Sequence, residues 1–511
     1  MSRRACSLAI GFMCVVVAIV ETPADAATIH VPADYATIQE AIFAAGDGDI
    51  IVVADGAYTG PLNKNLDFGG LALTVRSENG PGTCVIDCEG DGRGFQFRFG
   101  EGPDSVVEGF TITGGSISQS GSGGGAIYLQ AASSPTIHNC VMHANAVTWA
   151  GGAILCRDDS NPVITHCTIS TNSANSYGGG IHCIDSSPVI SDCTIIENSA
   201  NYGAGIACVD PSDPLITNCT ITANAASYAG GGLYCDDSSN PTLANCIVRG
   251  NTASQGGGFY CDWNCSPILV DCLITGNEAA NNGGAIYNTR AHITAANCTF
   301  SGNSAGSDGG AAYCYSSSDM SITDCILWGD AAANGPELAL YDSSDAAVSY
   351  SDVEGGWAWV YIAPNSTLIW GDGNLITDPL FLDPDGPDDD PGTWEDNDYH
   401  LASDSPCIDA GDPHFVPHCG ERDIDGEPRV WDGNRDRVKR VDMGCDEANV
   451  PCVPGDLDGD GDVDLHDLAQ LLGHYGTAPD AAYIDGDLDL DGDVDMCDLW
   501  NLLAVYGTLC E

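Results

Sequence analysis

Basic residues are the scarcest component of this chain: 15 Lys and Arg stand against 73 Asp and Glu in 511 residues, a formal net charge of −58. Binding to nucleic acid or to an anionic membrane surface depends on clustered Lys and Arg, so neither is a principal role here. Between Phe99 and Glu421 the only basic residues are Arg157, Arg249 and Arg290, which leaves few candidates for a cationic catalytic group. Long apolar runs are missing beyond the segment from Ala5 to Val20, so no membrane span is expected. A sustained helical period is missing from the centre of the chain, where the glycine content (63 in all) argues against helix.

The single apolar run has a specific setting. Arg3 and Arg4 precede it and Ala24-Asp25-Ala26 follows it, the pattern of a secretory signal with a small-residue cleavage site. Residues 1–26 are therefore expected to be removed, with the mature chain beginning at Ala27 in an extracellular or cell-surface location.

Repetition dominates what remains. Copies of one phrase begin at Gly124, Gly151, Gly178, Gly203, Gly230, Gly256, Gly283 and Gly309, a period of about 26 residues. Each copy reads roughly Gly-Gly-(Gly/Ala)-Ile-x-Cys, an Asp/Ser turn, Pro-x-Ile, then Asn/Asp-Cys-Thr-Ile-x-x-Asn-x-Ala. A fixed period of that length signals stacked supersecondary units. One cysteine column runs through Cys140, Cys167, Cys193, Cys219, Cys246, Cys272, Cys298 and Cys325, and two residues later comes an apolar column from Met142 to Leu327. That period of two is a strand with one buried face. Asn139, His166, Asp192, Asn218, Asn245, Asp271, Asn297 and Asp324 precede the cysteines; these residue types tolerate a left-handed backbone, so the column predicts a sharp corner. Pro135, Pro162, Pro188, Pro214, Pro241 and Pro267 mark strand starts, where a missing N–H is tolerated. Three short strands per coil, stacked in register, make an all-β, right-handed parallel β-helix. Its Asn145, Asn172, Asn198, Asn224, Asn251, Asn277 and Asn303 column is then placed to hydrogen-bond along itself.

Ahead of the repeats, Thr37-Ile38-Gln39-Glu40 is a capping box, followed by Ala41-Ile42-Phe43-Ala44-Ala45 and a terminating Gly46. It predicts a short amphipathic helix plugging the open N-terminal end. The segment from Ile29 through Tyr58 resembles the entry cap of the pectin-lyase-like superfamily, and the Gly-Gly-Ala-Ile and x-x-Asn phrases resemble bacterial surface β-helix repeats. The expected organisation is a cap and first coil over 27–60, repeats over 61–330, C-terminal coils and cap over 331–449, and a separate module over 450–511.

The 25 cysteines suggest disulfides by number and packing by position. In-register strands hold equivalent side chains further apart than the roughly 3.8 Å Cβ separation of a disulfide. Two columns, the second being Cys156, Cys183, Cys208, Cys235, Cys261 and Cys314, are read as buried free thiols acting as small apolar filler.

The last module carries two matched loops, Asp456–Asp467 and Asp487–Asp498. Asp456, Asp458, Asp460, Asp464 and Asp467, then Asp487, Asp489, Asp491, Asp495 and Asp498, put carboxylates at positions one, three, five, nine and twelve. Gly461 and Gly492 fall at position six, which wraps the backbone around one Ca²⁺. Apolar helices are expected over Leu468–Tyr475 and Leu499–Tyr506. Paired loops with Asp at position twelve resemble a type I dockerin, which implies calcium and a cohesin-like or other cell-surface docking protein. Family dockerins carry small hydroxylated residues at positions ten and eleven; Leu465-His466 and Met496-Cys497 depart from that pattern. Cys452 and Cys510 bracket the module and are candidates for a disulfide clasp in an oxidising compartment.

Catalytic signals are weaker. Asp158-Asp159, Asp185, Asp210, Asp236-Asp237 and Asp262 recur once per coil, as turn residues do. Stacked, they would form an acidic strip suited to glycoside hydrolysis or a calcium-assisted polysaccharide site. Lyases of the resembled superfamily use an Arg or Lys base beside calcium-binding acids, which makes Arg157, Asp158, Asp159 and Asp185 the candidates. The Gly-His-Gly and Arg-Ile-Lys signatures of polygalacturonase relatives are absent. Trp149, Tyr177, Tyr202 and Tyr228 could stack on sugar rings or shield strand edges. Three readings stay open: a secreted protein that binds extracellular polysaccharide and attaches through a calcium module, a lyase or glycoside hydrolase carried by that module, and a structural surface protein.

Overall fold

The computed structural model describes residues 26–119, 122–386, 397–417, 422–426, 428–430, 433, 439–448, 455, 457, 463–476, 486, 488 and 494–507. Residues 1–25 of the expected signal segment, the expected loop ligands Asp456, Asp458, Asp460, Asp487, Asp489 and Asp491, and the candidate clasp cysteines Cys452 and Cys510 lie outside the described residues.

Four parallel sheets wind into a solenoid. A fourteen-stranded sheet runs from Thr28–Val31 to Thr367–Trp370, and two twelve-stranded sheets run from Gly56–Tyr58 to Asp352–Val353 and from Leu66–Asp67 to Tyr361–Ile362. The fourth, with eight strands from Ser116–Ile117 to Ser304–Ala305, corrects the expectation of three strands per coil. Its strands follow the asparagine corner and start as pairs such as Ser173–Ala174, whose small side chains let the backbones pair over a short span.

Register is set residue by residue. Ile137, Ile164, Ile190, Ile216, Leu243 and Leu269 stack as direct partners and are buried. Each such side chain contributes roughly 2 kcal/mol of burial. The corners behave as their residue types predict: Asn139, His166, Asp192, Asn218, Asn245, Asp271, Asn297 and Asp324 all have φ between 48° and 54°. Glycine is required at the next corner, where Gly178 has φ 59° and a Cβ would stand 2.3 Å from the Ile181 carbonyl. The asparagine column forms a continuous amide ladder, each Nδ2 donating to the next Oδ1 over 2.8–3.0 Å and the last, Asn303, to Asp330.

Both cysteine columns are buried and their thiols are free. Members of the first donate to the carbonyl two residues back, as Cys193 does to Ser191 at 3.1 Å. Burial pushes the Cys235, Cys246 and Cys298 thiols up, so they stay protonated. A serine ladder joins Ser133, Ser160, Ser186, Ser212 and Ser239, each backbone N–H donating to the next Oγ; these are the residues two before the prolines.

Helix α1, Ile38–Ala44, is capped by Thr37, whose hydroxyl accepts the Glu40 N–H, and buries Ile38, Ala41 and Ile42 in the solenoid core. Its C-cap is the extended Ala45, not Gly46. After Trp370 the chain doubles back along the flank of the last coils. Strands Phe381–Asp383 and Asp398–Leu401 pair antiparallel, and the following strap is tied to the coils by Asp412 N–H to Asp324, Gly444 N–H to the Asp324 carbonyl, and Cys445 N–H to Thr299. An ion pair adds to these ties: Arg429, 1% exposed, has its Nε 3.0 Å from Asp271 of the solenoid and its Nη1 3.3 Å from Glu447.

Helices α2 (Leu465–His474) and α3 (Met496–Val505) enclose a small core of Leu457, Val463, Leu471, Val494 and Leu502. Both start three residues earlier than predicted because Asp464 and Asp495 act as N-caps. Among the described residues no helix is long and apolar enough to cross a membrane.

Candidate functional site

Arg157 ends strand Ile154–Arg157, and the chain turns at once through Asp158 (φ 56°) and Asp159 (φ 61°). Its Nε lies 3.2 Å from the Asp158 carboxylate, the adjacent residue in sequence. Asp159 accepts from the Asn161 side chain and donates its N–H to the Asp185 carbonyl one coil on. Asp185 takes the same left-handed turn, at φ 51°. The four predicted residues thus share one turn column and do not converge as separated acid and base.

What this face holds instead is a ladder of rings. The outward position of the sheet that starts at Leu66–Asp67 runs in register through Tyr128, Leu155, His182, Ala207, Tyr234, Tyr260, Tyr287, Tyr313, Ala339 and Tyr361. It is the x of each Gly-Gly-Ala-Ile-x-Cys phrase. Where that column carries His182 and Ala207, Tyr177 and Tyr202 fold in from the preceding turn: Tyr177 stacks on His182 at 5.5 Å and on Tyr202 at 5.2 Å. From Tyr202 the rings continue through Tyr234 (5.3 Å), Tyr260 (5.4 Å), Tyr287 (4.9 Å) and Tyr313 (5.0 Å). At Ala339 it is Tyr341 that fills the gap, 5.2 Å from Tyr313 and 4.7 Å from Tyr361. Aromatic pairs of this geometry contribute about 0.5–1.5 kcal/mol each beyond area burial.

Carboxylates line one side of the ladder. Tyr234 donates its hydroxyl to Asp236 at 2.9 Å. Burial, reinforced by Asp236 and Asp262, pushes the Tyr234 and Tyr260 phenols up, so both remain neutral donors. His182, enclosed by Trp149 and Tyr177, is held down to about 3 by burial and then by Arg157, and stays neutral. Arg290 pairs with Asp262, the last acid of the expected strip: its Nη2 reaches Asp262 at 2.6 Å and its guanidinium lies 4.2 Å over the Trp263 ring. Tyr228 (56% exposed), Trp263 (51%), Tyr315 (39%) and Tyr361 (36%) present open ring surface along the rim.

In the helix pair, the position-twelve carboxylates of the two acidic loops are fully buried. Asp467 accepts the N–H groups of Leu457 (2.5 Å) and Asp464 (2.7 Å); Asp498 accepts those of Leu488 (2.6 Å) and Asp495 (2.7 Å). At position nine, Asp464 and Asp495 each receive the N–H two residues on and cap their helices. Each helix's following glycine reaches the opposite loop: Gly476 N–H donates to the Val494 carbonyl and Gly507 N–H to that of Val463. Two buried carboxylates held in oxygen-rich loops are a donor set that suits a hard cation.

The family model described as the right handed beta helix region matches residues 36–213, 103–272 and 178–300, together just over half of the chain. The chain belongs to the right-handed β-helix family. Residues 297–315 also match the Chlamydia polymorphic membrane protein repeat. No curated protein matches the sequence. Among solved structures the chain is similar to pectate lyase Pel9A, at 14% identity and a TM-score of 0.42 over 83% of this chain and 96% of that one. It is similar to the A-module of the Azotobacter vinelandii mannuronan C-5 epimerase AlgE6 at 13% identity and a TM-score of 0.31, over 67% and 94%. The catalytic domain of a GH87 alpha-1,3-glucanase is similar at 11% identity and a TM-score of 0.26, over 69% of each chain.

Proposed function

We propose that this is a secreted, extracellular or cell-surface β-helix protein that binds polysaccharide along its tyrosine face and attaches through a calcium-binding, dockerin-like module. The observation that carries the binding reading is the continuous ring ladder, edged by the partly exposed rings of Tyr228, Trp263, Tyr315 and Tyr361. Sugar rings stack on such faces through their C–H groups, and the adjacent carboxylates accept sugar hydroxyls. An acidic polysaccharide would meet the charge of −58, so neutral glycans, or acidic ones bridged by Ca²⁺, suit this face. The lyase or glycoside hydrolase alternative needs a base or a separated carboxylate pair. Arg157 and Arg290 are instead each committed to a neighbouring Asp.

Calcium would be held by Asp456, Asp458, Asp460, Asp464 and Asp467, and by Asp487, Asp489, Asp491, Asp495 and Asp498, supplying charge neutralisation that orders both loops. Support for a cohesin-like or other docking partner comes from matched exposed apolar residues on the two helices: Leu465 with Met496, Leu472 with Leu503, and Tyr475 with Tyr506.

The deciding experiment incubates the mature chain with acidic and neutral polysaccharides, with Ca²⁺ and with chelator. Retention without chain shortening is the expected result. Shortening that disappears in Arg157→Ala would install the enzyme reading, and no retention on any glycan would leave a structural surface protein.

A further inference from the structure

Three parts of the flanking strap meet at one histidine. His400 lies on strand Asp398–Leu401, Asp425 in the turn after Arg422, and Asp446 near the end of the strap. One ligand atom from each of His400, Asp425 and Asp446 falls within 4.8 Å of the others. Atoms held about 2.1 Å from a shared ion stand roughly 3–4 Å apart, so a slight opening of the His400–Asp425 pair and an approach of Asp446 would close on one cation.

The imidazole's own contacts ask for a cation. Its Nε2 is 2.7 Å from Asp425 Oδ2, and its Nδ1 contacts Asp398 Oδ1. A neutral imidazole has one N–H and one lone pair. With Nδ1–H donated to Asp398, the Nε2 lone pair faces a carboxylate oxygen, which is repulsive unless a proton stands between or the pair opens to share a metal ion. Carboxylate on one ring nitrogen and metal on the other is the usual outer-shell arrangement of a metal-bound histidine. Asp446 supplies an independent sign. It is 7% exposed, yet among the described residues it accepts only a long 3.5 Å N–H bond from Leu401 and pairs with no Lys or Arg.

We propose that His400, Asp425 and Asp446 form a mononuclear site for a divalent transition metal of the zinc class, with Asp398 orienting the imidazole. One nitrogen and two carboxylates favour such a metal over Ca²⁺, which takes oxygen ligands throughout. Three protein ligands leave a position open to solvent, and the His400 and Asp425 side chains are about half exposed. Binding replaces the proton at Nε2, so one proton leaves as one ion enters. The ion would clip the Asp398–Leu401 strand to the turn that, with Asn218, Asn245 and Asp271 of the solenoid, lines a cleft of about 760 Å³.

The test is titration of Zn²⁺ into the chelator-stripped full-length mature chain, with excess Ca²⁺ present to fill oxygen-only sites, followed by Co²⁺ absorption as a report on ligand type. The expected result is one equivalent bound, with a Co²⁺ spectrum of mixed nitrogen and oxygen ligation. His400→Ala should weaken binding at least 100-fold and abolish that spectrum; Asp446→Asn and Asp398→Asn should weaken it 10- to 100-fold. His138 and His166, with rings 5.2 Å apart, are the rival ligands on the solenoid. Binding that survives His400→Ala and falls in His138→Ala overturns the proposal, as does the absence of a one-equivalent site. Because His400→Ala removes strap contacts as well, Asp446→Asn is read alongside far-ultraviolet circular dichroism: lost affinity with an unchanged spectrum supports the site, and unchanged affinity rejects it.

Discussion

Asn303 ends the amide ladder on Asp330: its backbone N–H and its Nδ2 both donate to Asp330 Oδ1, at 2.7 and 2.8 Å. Every rung before it is an amide, and Asp330 alone puts an oxygen where its predecessors have a donor. Glu337 stands beside it, fully buried, at a column position filled elsewhere by Gly or Ala. Burial pushes Asp330 up to about 6 and Glu337 well above the ordinary carboxyl range. Both folded-state values are raised, so the folded state binds protons more tightly than the unfolded one. The stabilisation is complete below pH ~4, where the unfolded groups are also protonated, and is lost as pH rises through about 6 and beyond. Asp330→Asn with Glu337→Gln should remove about 2–3 kcal/mol of this pH dependence. Thermal unfolding at pH 5 and pH 7.5 checks it: the difference should shrink in the double variant relative to the parent, and an equal difference would refute the assignment.

A middle rung should respond differently. Asn224 is fully buried; its Oδ1 accepts from Asn198 and its Nδ2 donates to Asn251 and to the Ile195 carbonyl. Asn224→Ala leaves Asn198, Asn251 and the Ile195 carbonyl each short of a partner and should cost about 3 kcal/mol or more, read as a fall in denaturant midpoint.

These ladders show how far sequence reasoning reaches. The corner residues from Asn139 to Asp324, the asparagine column and the thiol columns are local choices repeated every coil, and repetition turns a weak preference into a pattern. The ring ladder escaped because its column is interrupted by Leu155, His182 and Ala207, and the rings that bridge the gap come from another part of the coil. The Arg429–Asp271 pair escaped for a different reason: Asp271 is one corner residue among many, Arg429 lies far away in sequence and outside the repeats, and nothing local marks their pairing. The candidate site suffered the same way. Arg157 drew notice as an isolated cation, while the turn that pairs it with Asp158 appears only once the backbone is built.

Arg429→Met tests the strap. Removing the cation of a buried ion pair takes the guanidinium away from the buried Asp271 and Glu447 carboxylates, at a cost of about 3–5 kcal/mol. The loss should fall on the strap rather than on the coils. Limited proteolysis should cut the strap first and leave a resistant solenoid, and simultaneous loss of both would show that strap and coils unfold as one unit.

Ring surface at the rim predicts the affinity pattern for a retained glycan. Tyr228→Ala and Trp263→Ala should each weaken binding about threefold to tenfold, in line with roughly 0.5–1.5 kcal/mol per stacked ring. Phe43→Ala, at a ring 75% exposed on helix α1, should leave affinity unchanged. Affinity electrophoresis on the retained polysaccharide separates the two sets, and equal losses would point to non-specific apolar adsorption.

Calcium makes the sharpest demand on the C-terminal helices. Asp467 and Asp498 are buried carboxylates whose oxygens already accept two amide N–H groups each. Asparagine keeps the shape but turns one of those oxygens into a donor facing an N–H, so Asp467→Asn and Asp498→Asn damage loop geometry as well as charge. Calorimetric titration of the full chain with Ca²⁺ should therefore lose one site in each variant. Asp464→Ser separates the two jobs of position nine: serine still caps helix α2 but offers a poorer ligand. It should lower calcium affinity while leaving helix content in chelator unchanged. If Asp464→Ser instead reduces helix content without altering Ca²⁺ affinity, position nine serves only as a cap, and calcium is held without it.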